Sequence, residues 1–507
     1  MTDTALRDDL ENRSAPFEMS PAEFRELGHH LVERIAGLLE TLPERPAAPR
    51  IDPEEARARV GQRPLPREGA EAKALLDRAA DLMLDGCRLN AHSRSWGYII
   101  GSPAPIGILG DFLASAVNPN VTSWNSSPVP TEMESQAVGW LAEFLGYPSD
   151  CGGLLVSGGN MANFVGFLAA RRAKTTWDLR KDGLAGPDHR RLRAYVSAET
   201  HTWVQKAADL FGLGTDAISW IPTDEAQRMR SDVLRERIAA DRAKGDLPFL
   251  IVGTAGTVST GAVDPLPELA AVAREEDLWF HVDGAYGAPA VAAENVPADL
   301  KGLREADSLA VDAHKWLYVP LEAGCALVRD KRVLRDTFSY RPPYYHHKGT
   351  GEVEVTHFYE YGPQNSRCFR ALKVWLALQR AGQADYARMI GADIALAEEL
   401  QARIEAEPEL EFATRSLSIT TFRFVPDSLD RAAEGAEDYL NALNTALLTE
   451  IQQGGEAFLS NALIEGRFLL RACITNFRST ARDAAVLPGI VTAVGRRIDR
   501  DMRPEEL

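Results

Sequence analysis

Between about residues 95 and 383 the chain alternates short apolar runs with amphipathic stretches. Leu154-Leu155-Val156, Ala194-Tyr195-Val196, Ala217-Ile218-Ser219-Trp220-Ile221 and Phe249-Leu250-Ile251-Val252 read as strands. Leu278-Trp279-Phe280-His281-Val282, Ser308-Leu309-Ala310-Val311 and Cys325-Ala326-Leu327-Val328 continue the series. Helical spacing occupies residues 161–174 and 266–276, and Asp264-Pro265 is predicted to cap and open the second of these helices. Alternation of this kind predicts an α/β domain with a mostly parallel sheet. Beyond residue 384 the pattern changes. A helical stretch to about residue 407, an alternating strand over 416–424, a helix over 439–453 and a strand over 468–472 predict a smaller α+β domain.

Ahead of both lies an amphipathic helix predicted over residues 19–42, with Phe24, Leu27, Leu31, Ile35, Leu38 and Leu39 on one stripe. Ser20-Pro21 supplies its cap and first-turn proline. An arm of this kind is expected to lie on the main domain or on a partner subunit. The resulting division is residues 1–94 (helical arm), 95–383 (large domain) and 384–507 (small domain), in keeping with a 507-residue length that exceeds one compact core.

Composition adds exclusions. With 45% hydrophobic and 25% charged residues the chain reads as globular, and a net charge of −17 argues against nucleic-acid or anionic-membrane binding. Five scattered cysteines form neither a disulfide framework nor a CxxC pair. The polar start is unlike a signal peptide, and the apolar stretch 97–117 carries Pro103, Pro105 and Asp111, which a membrane span would reject. A cytoplasmic location is expected.

The candidate chemistry sits where the predicted strands end. Lys315, in Asp312-Ala313-His314-Lys315-Trp316, offers an amine able to form a Schiff base. Asp283, in His281-Val282-Asp283-Gly284-Ala285-Tyr286, offers a carboxylate able to keep a pyridine nitrogen protonated. Ser157-Gly158-Gly159-Asn160 joins a strand to a helix and aims backbone N–H groups at an anion site, without a nucleotide-binding GxxxxGK[ST] or GxGxxG pattern. His201 follows one strand and could stack on a flat ring, with the small Ala285 covering the other face; Thr254, Ser259 and Thr260 follow another. Residues 340–349 are rich in proline and tyrosine and read as a lid. Its His346-His347 pair lacks a carboxylate at HExxH spacing, so no metal is expected.

In this order the pieces resemble the group II pyridoxal phosphate (PLP)-dependent amino-acid decarboxylases, most closely the aromatic-L-amino-acid decarboxylase branch. The resemblance spans about residues 20–480 and includes residues 366–375, SRCFRALKVW. It implies an aspartate-aminotransferase-like fold (fold type I) and an intertwined homodimer embraced by the N-terminal arm. Lys315 would carry PLP, Asp283 would pair with its ring nitrogen, and His201 and Ala285 would cover its two faces. Gly158, Gly159, Asn160 and His314 would hold the phosphate, with Thr254 and Asp312 completing the cofactor site. Tyr344 matches the family's mobile-loop tyrosine that reprotonates the substrate carbon.

Trp96, Tyr98, Ile99, Ile100, Asn120 and Thr122 would form the substrate wall. Asn120 and Thr122 are more polar there than the animal enzymes, and Gly284, Ala313 and Cys368 are further departures. The implied activity is decarboxylation of an aromatic L-amino acid such as tryptophan, tyrosine, phenylalanine or dopa to its amine. The alternatives are oxidative conversion to an aldehyde and decarboxylation of an acidic or diamino acid. A cofactor-free scaffold relative would be expected to have lost Lys315 or Asp283, and both are present.

Overall fold

The computed structural model describes residues 10–13, 15–184, 190–341 and 355–506, together with residues 7 and 186. Its larger sheet has seven strands. These are β1 (Gly152–Val156), β2 (Leu192–Ser197), β3 (Ile218–Ile221), β4 (Leu247–Thr254), β5 (Trp279–Asp283), β6 (Ser308–Asp312) and β7 (Gly324–Val328). The spatial order is β1-β7-β6-β5-β4-β2-β3. Only β7 runs antiparallel to its neighbours; the other pairings are parallel. Helix Gly159–Lys174 lies across β4 to β7, and helix Leu266–Glu275 packs on β4 and β5. Covered by helices, β1, β5, β6 and β7 are buried along their whole length, which is why they read as continuous apolar runs.

The smaller sheet is wholly antiparallel, in the order β10 (Ser460–Ile464), β11 (Arg467–Cys473), β9 (Ile419–Phe424), β8 (Leu410–Ser416). Helices Ala371–Glu405, Ala436–Gly454 and Ala481–Met502 pack against it. The first of these bends at Gly382, whose φ of 68° is non-helical. Residues 416–424 form two elements, not one strand: Leu417, with φ 50°, turns the chain between β8 and β9. β8, β10 and the last helix were not anticipated, because β10 is short and β8 is only half-buried.

Asp264 does not cap the helix that follows it. Its carboxylate is fully buried and accepts the backbone N–H groups of Met229 (2.7 Å) and Thr254 (2.8 Å), so it fastens the end of β4. Burial pushes its pKa up to about 6.

The N-terminal helix spans Pro21–Thr41, with the Ser20 hydroxyl accepting the Glu23 N–H. It packs on helix Ala72–Gly86, where Asp77 accepts from His30 and Arg34. Leu27 is buried, but Phe24 remains half exposed, so the stripe is only partly covered within this chain. Among the described residues no helix is long and apolar enough to cross a membrane.

Candidate active site

The carboxyl ends of β1, β2, β4, β5 and β6 meet at a cavity of about 370 Å³, the edge at which open α/β sheets bind ligands. Gly158, Gly159, Asn160, His201, Thr254, Asp283, Ala285, Asp312, His314 and Lys315 all line it. These residues stand up to 157 positions apart in sequence, and parallel pairing of β4, β5 and β6 brings their ends together.

After β1 the chain turns through Gly158, whose φ of 96° is left-handed, and enters helix Gly159–Lys174. A Cβ on Gly159 would lie 2.6 Å from Asp312 Oδ2 and 3.2 Å from Ala285 Cβ. Only glycine lets the turn pass this close. The first N–H groups of the helix have no intrahelical acceptor and suit an anion.

Asp283 ends β5 and is buried. Its Oδ2 accepts the Trp203 indole N–H (2.8 Å) and its Oδ1 the Ala285 N–H (3.1 Å). Both bonds fix the carboxylate plane and leave lone pairs for a further donor.

Lys315 Nζ lies 3.2 Å from Asp312 Oδ2, at the end of β6. Asp312 is itself buried, and its Oδ1 has no hydrogen-bond partner among the described residues. The backbone of Lys315 is held from the other side by Gly101, where a Cβ would overlap the Lys315 carbonyl oxygen. Gly101 N–H also donates to the His314 carbonyl (3.1 Å).

Both cavity histidines are held in one neutral form. His314 Nδ1 accepts the Ala323 N–H (3.1 Å), and His201 Nδ1 accepts the Trp203 N–H (3.2 Å). Each therefore carries its proton on Nε2. Desolvation lowers both pKa values, although the His201 ring keeps an open face. His281 lies fully buried behind the cavity, with Nε2 2.7 Å from Asn163 Oδ1 and Nδ1 2.7 Å from Ser308 Oγ. Burial pulls its pKa down to about 4. Thr254 Oγ1 is buried without a partner among the described residues.

Trp203, Asn163, Gly256, Val258, Leu321 and Glu322 were not anticipated; all but Trp203 line the cavity. Asn163 was findable, since it stands four residues after Gly159 and so shares its helix face. Glu322 was not, because its place depends on a bond from Arg370 (2.8 Å), 48 residues away.

Of the six residues expected to wall the substrate, only Ile99 lines this cavity. Trp96 is fully buried in the core of the smaller unit, its indole N–H donating to Ser479 Oγ (2.9 Å). Its backbone bonds to Phe458 and Cys473 pull it there. Asn120 stands outside the lining, its side-chain oxygen accepting the Arg367 N–H (2.9 Å). Tyr98 is largely exposed and lies beside Phe458, while Ile100 and Thr122 stand outside the lining. Tyr344 and the His346-His347 pair lie outside the described residues. Among the described residues no cluster of side chains could hold a metal ion.

The residues present fit PLP. They supply an amine, an oriented buried carboxylate, a glycine turn at a helix N-terminus, and two buried oxygens lacking protein partners.

Residues 53–425 match the pyridoxal-dependent decarboxylase conserved domain. An aromatic-L-amino-acid decarboxylase of Bacillus atrophaeus is 34% identical over 471 residues, 93% of this chain and 95% of that protein. A phenylacetaldehyde synthase of a Rosa hybrid cultivar is 27% identical over 465 residues, 90% of each chain. The crystal structure of Oryza sativa TDC with PLP and tryptamine has a TM-score of 0.87 at 27% identity, covering 96% of this chain and 99% of that one. The mostly parallel sheet, the strand-end cavity and the matched domain agree: this chain belongs to the pyridoxal-dependent decarboxylase family and is a PLP-dependent carboxy-lyase of fold type I.

Proposed function

We propose that the chain decarboxylates an aromatic L-amino acid to the corresponding amine and CO2. The observation that carries this reading is the placement of Asp283, at the end of β5, and Lys315, just past the end of the adjacent parallel β6, at one cavity, in a chain so similar to the Bacillus aromatic-L-amino-acid decarboxylase.

When bound, PLP supplies an electron sink for the pair left on the substrate Cα as CO2 departs. Lys315 would hold it covalently, with Asp312 as the counter-charge to Nζ. Asp283, oriented by Trp203 and the Ala285 N–H, would hold the proton on the ring nitrogen. His201 and Ala285 would cover the ring, and Gly158, Gly159, Asn160 and His314 would receive the phosphate. The Thr254 hydroxyl, without a partner among the described residues, would be available to the cofactor's polar edge. Neutral His201 can offer its Nε2–H to the substrate carboxylate. Tyr344 returns a proton to Cα.

Supporting a homodimer, helix Pro105–Val117 leaves Leu109, Phe112, Leu113 and Val117 at least half exposed on one face. The five unpaired cysteines suit a reducing compartment, consistent with the cytoplasm.

The direct experiment offers the PLP-loaded protein separate amino acids and identifies products by mass spectrometry. Amines from aromatic substrates are expected. Consumption of only acidic or diamino acids would reject the substrate class. The aldehyde-forming reading has one observation in its favour, the phenylacetaldehyde synthase relative. Wild-type product settles it, and Tyr344→Phe is expected to move product from amine towards aldehyde.

A further inference from the structure

Asp393 is buried on helix Ala371–Glu405, beyond the bend at Gly382, and does not line the cavity. Its Oδ2 accepts two side-chain donors, the Trp316 indole N–H (2.9 Å) and the Tyr318 hydroxyl (2.7 Å). Those residues are the first and third after Lys315. We propose that Asp393 is a positioning residue that fixes the backbone of Lys315 from behind, through Trp316 and Tyr318.

Three observations converge on it. Tyr318 has φ 55°, a left-handed conformation that costs a tyrosine on the order of 1 kcal/mol and persists only where its surroundings hold it. The Tyr318 ring lies parallel to that of Tyr386 (centroids 6.2 Å, 4°), and the Tyr386 hydroxyl donates to the Leu317 carbonyl (3.0 Å). Tyr386 and Asp393 are seven residues apart, two turns along one helix face, so a single helix grips residues 316–318 twice. Trp316 in turn stacks on Tyr286 (4.9 Å, 11°), the neighbour of the cavity residue Ala285.

A buried carboxylate is a poor way to gain stability, since an apolar residue of similar size would avoid its desolvation. Asp393 bears that cost, burial pushing its pKa up to about 7. What it provides is direction: one oxygen sets two rings, and the rings set the peptide from which Lys315 projects.

The inference rests on Lys315 as the PLP-binding lysine. Lys315→Ala, which must abolish the visible absorbance band of the lysine-linked cofactor that borohydride bleaches by reducing its C=N bond, tests that reading separately. The variants for Asp393 itself are Asp393→Leu, Asp393→Asn, Trp316→Phe and Tyr318→Phe. Three readouts are the rate at which PLP attaches to apo-protein, kcat and KM taken apart, and Tm. A misplacement of about 1 Å can cost roughly 100-fold, so Asp393→Leu is expected to lower kcat and attachment rate by roughly 10- to 100-fold. KM should stay within about threefold, and Asp393→Asn should fall between Asp393→Leu and wild type. Trp316→Phe and Tyr318→Phe should each slow attachment less, and add nothing in the Asp393→Leu background. Wild-type attachment and kcat in folded Asp393→Leu would overturn the proposal. If that variant does not fold, wild-type attachment in both Trp316→Phe and Tyr318→Phe overturns it equally.

Discussion

The strand-end cavity and the segments at residues 96–100 and 118–122 were both marked from sequence, and the fold of the single chain places their residues differently. Every described cofactor candidate lines one cavity, whereas one of six wall candidates does. The difference lies in what fixes each residue. A side chain that ends a buried parallel strand has its place set by the strand, and the strand is written locally as an apolar run. Trp96 is placed by backbone bonds to Phe458 and Cys473, more than 350 residues away, which draw it into the other core. A local motif can name a residue's neighbours in sequence. It does not say which of two cores will claim the residue.

This contrast can be broken most forcefully at Lys315. Lys315→Ala is expected to leave the fold intact and cut turnover on the order of 10⁴-fold, and steady-state kinetics on the PLP-loaded variant checks it. Trp96→Ala should do the reverse. Loss of a fully buried indole with its hydrogen bond is expected to destabilise by about 3–5 kcal/mol, read by denaturant or thermal unfolding. The relative kcat/KM for tryptophan, tyrosine and phenylalanine should not move; a changed ranking would return Trp96 to the wall.

His281 gives a smaller, pH-dependent effect. Its pKa is near 4 in the fold against an ordinary 6.5, so on acidification the unfolded chain takes up the proton first. Its contribution is therefore fully present above about pH 6.5, falls as pH drops towards 4, and has lost about 2 kcal/mol by pH 5. His281→Gln has no such titration, so its Tm gap to wild type should narrow from pH 7 to pH 5. A gap that stays constant would mean the histidine is not held neutral between Asn163 and Ser308.

The mildest test is at Ile99, the wall residue that does line the cavity. Ile99→Ala is expected to shift the kcat/KM ratio between tryptophan and tyrosine by roughly tenfold, the worth of a few methylenes in a pocket. An unchanged ratio would leave Leu321, Val258 and Glu322 as the determinants.

What the sequence determined by itself was whatever short-range pattern specifies. Apolar runs with a glycine, acid or lysine at their ends gave the strands of the large sheet, the turn at Gly158 and the identities of Lys315 and Asp283. Asp264 marks the limit, since its place beside Pro265 reads as a helix cap while the fold spends it on Met229 and Thr254. The tertiary structure alone decided that Trp203 orients Asp283, that Glu322 reaches the cavity held by Arg370, and that Asp393 stands behind Lys315. Those are contacts between elements 48 to 80 residues apart, and their geometry depends on how helices and sheets pack, which no periodicity within one element encodes.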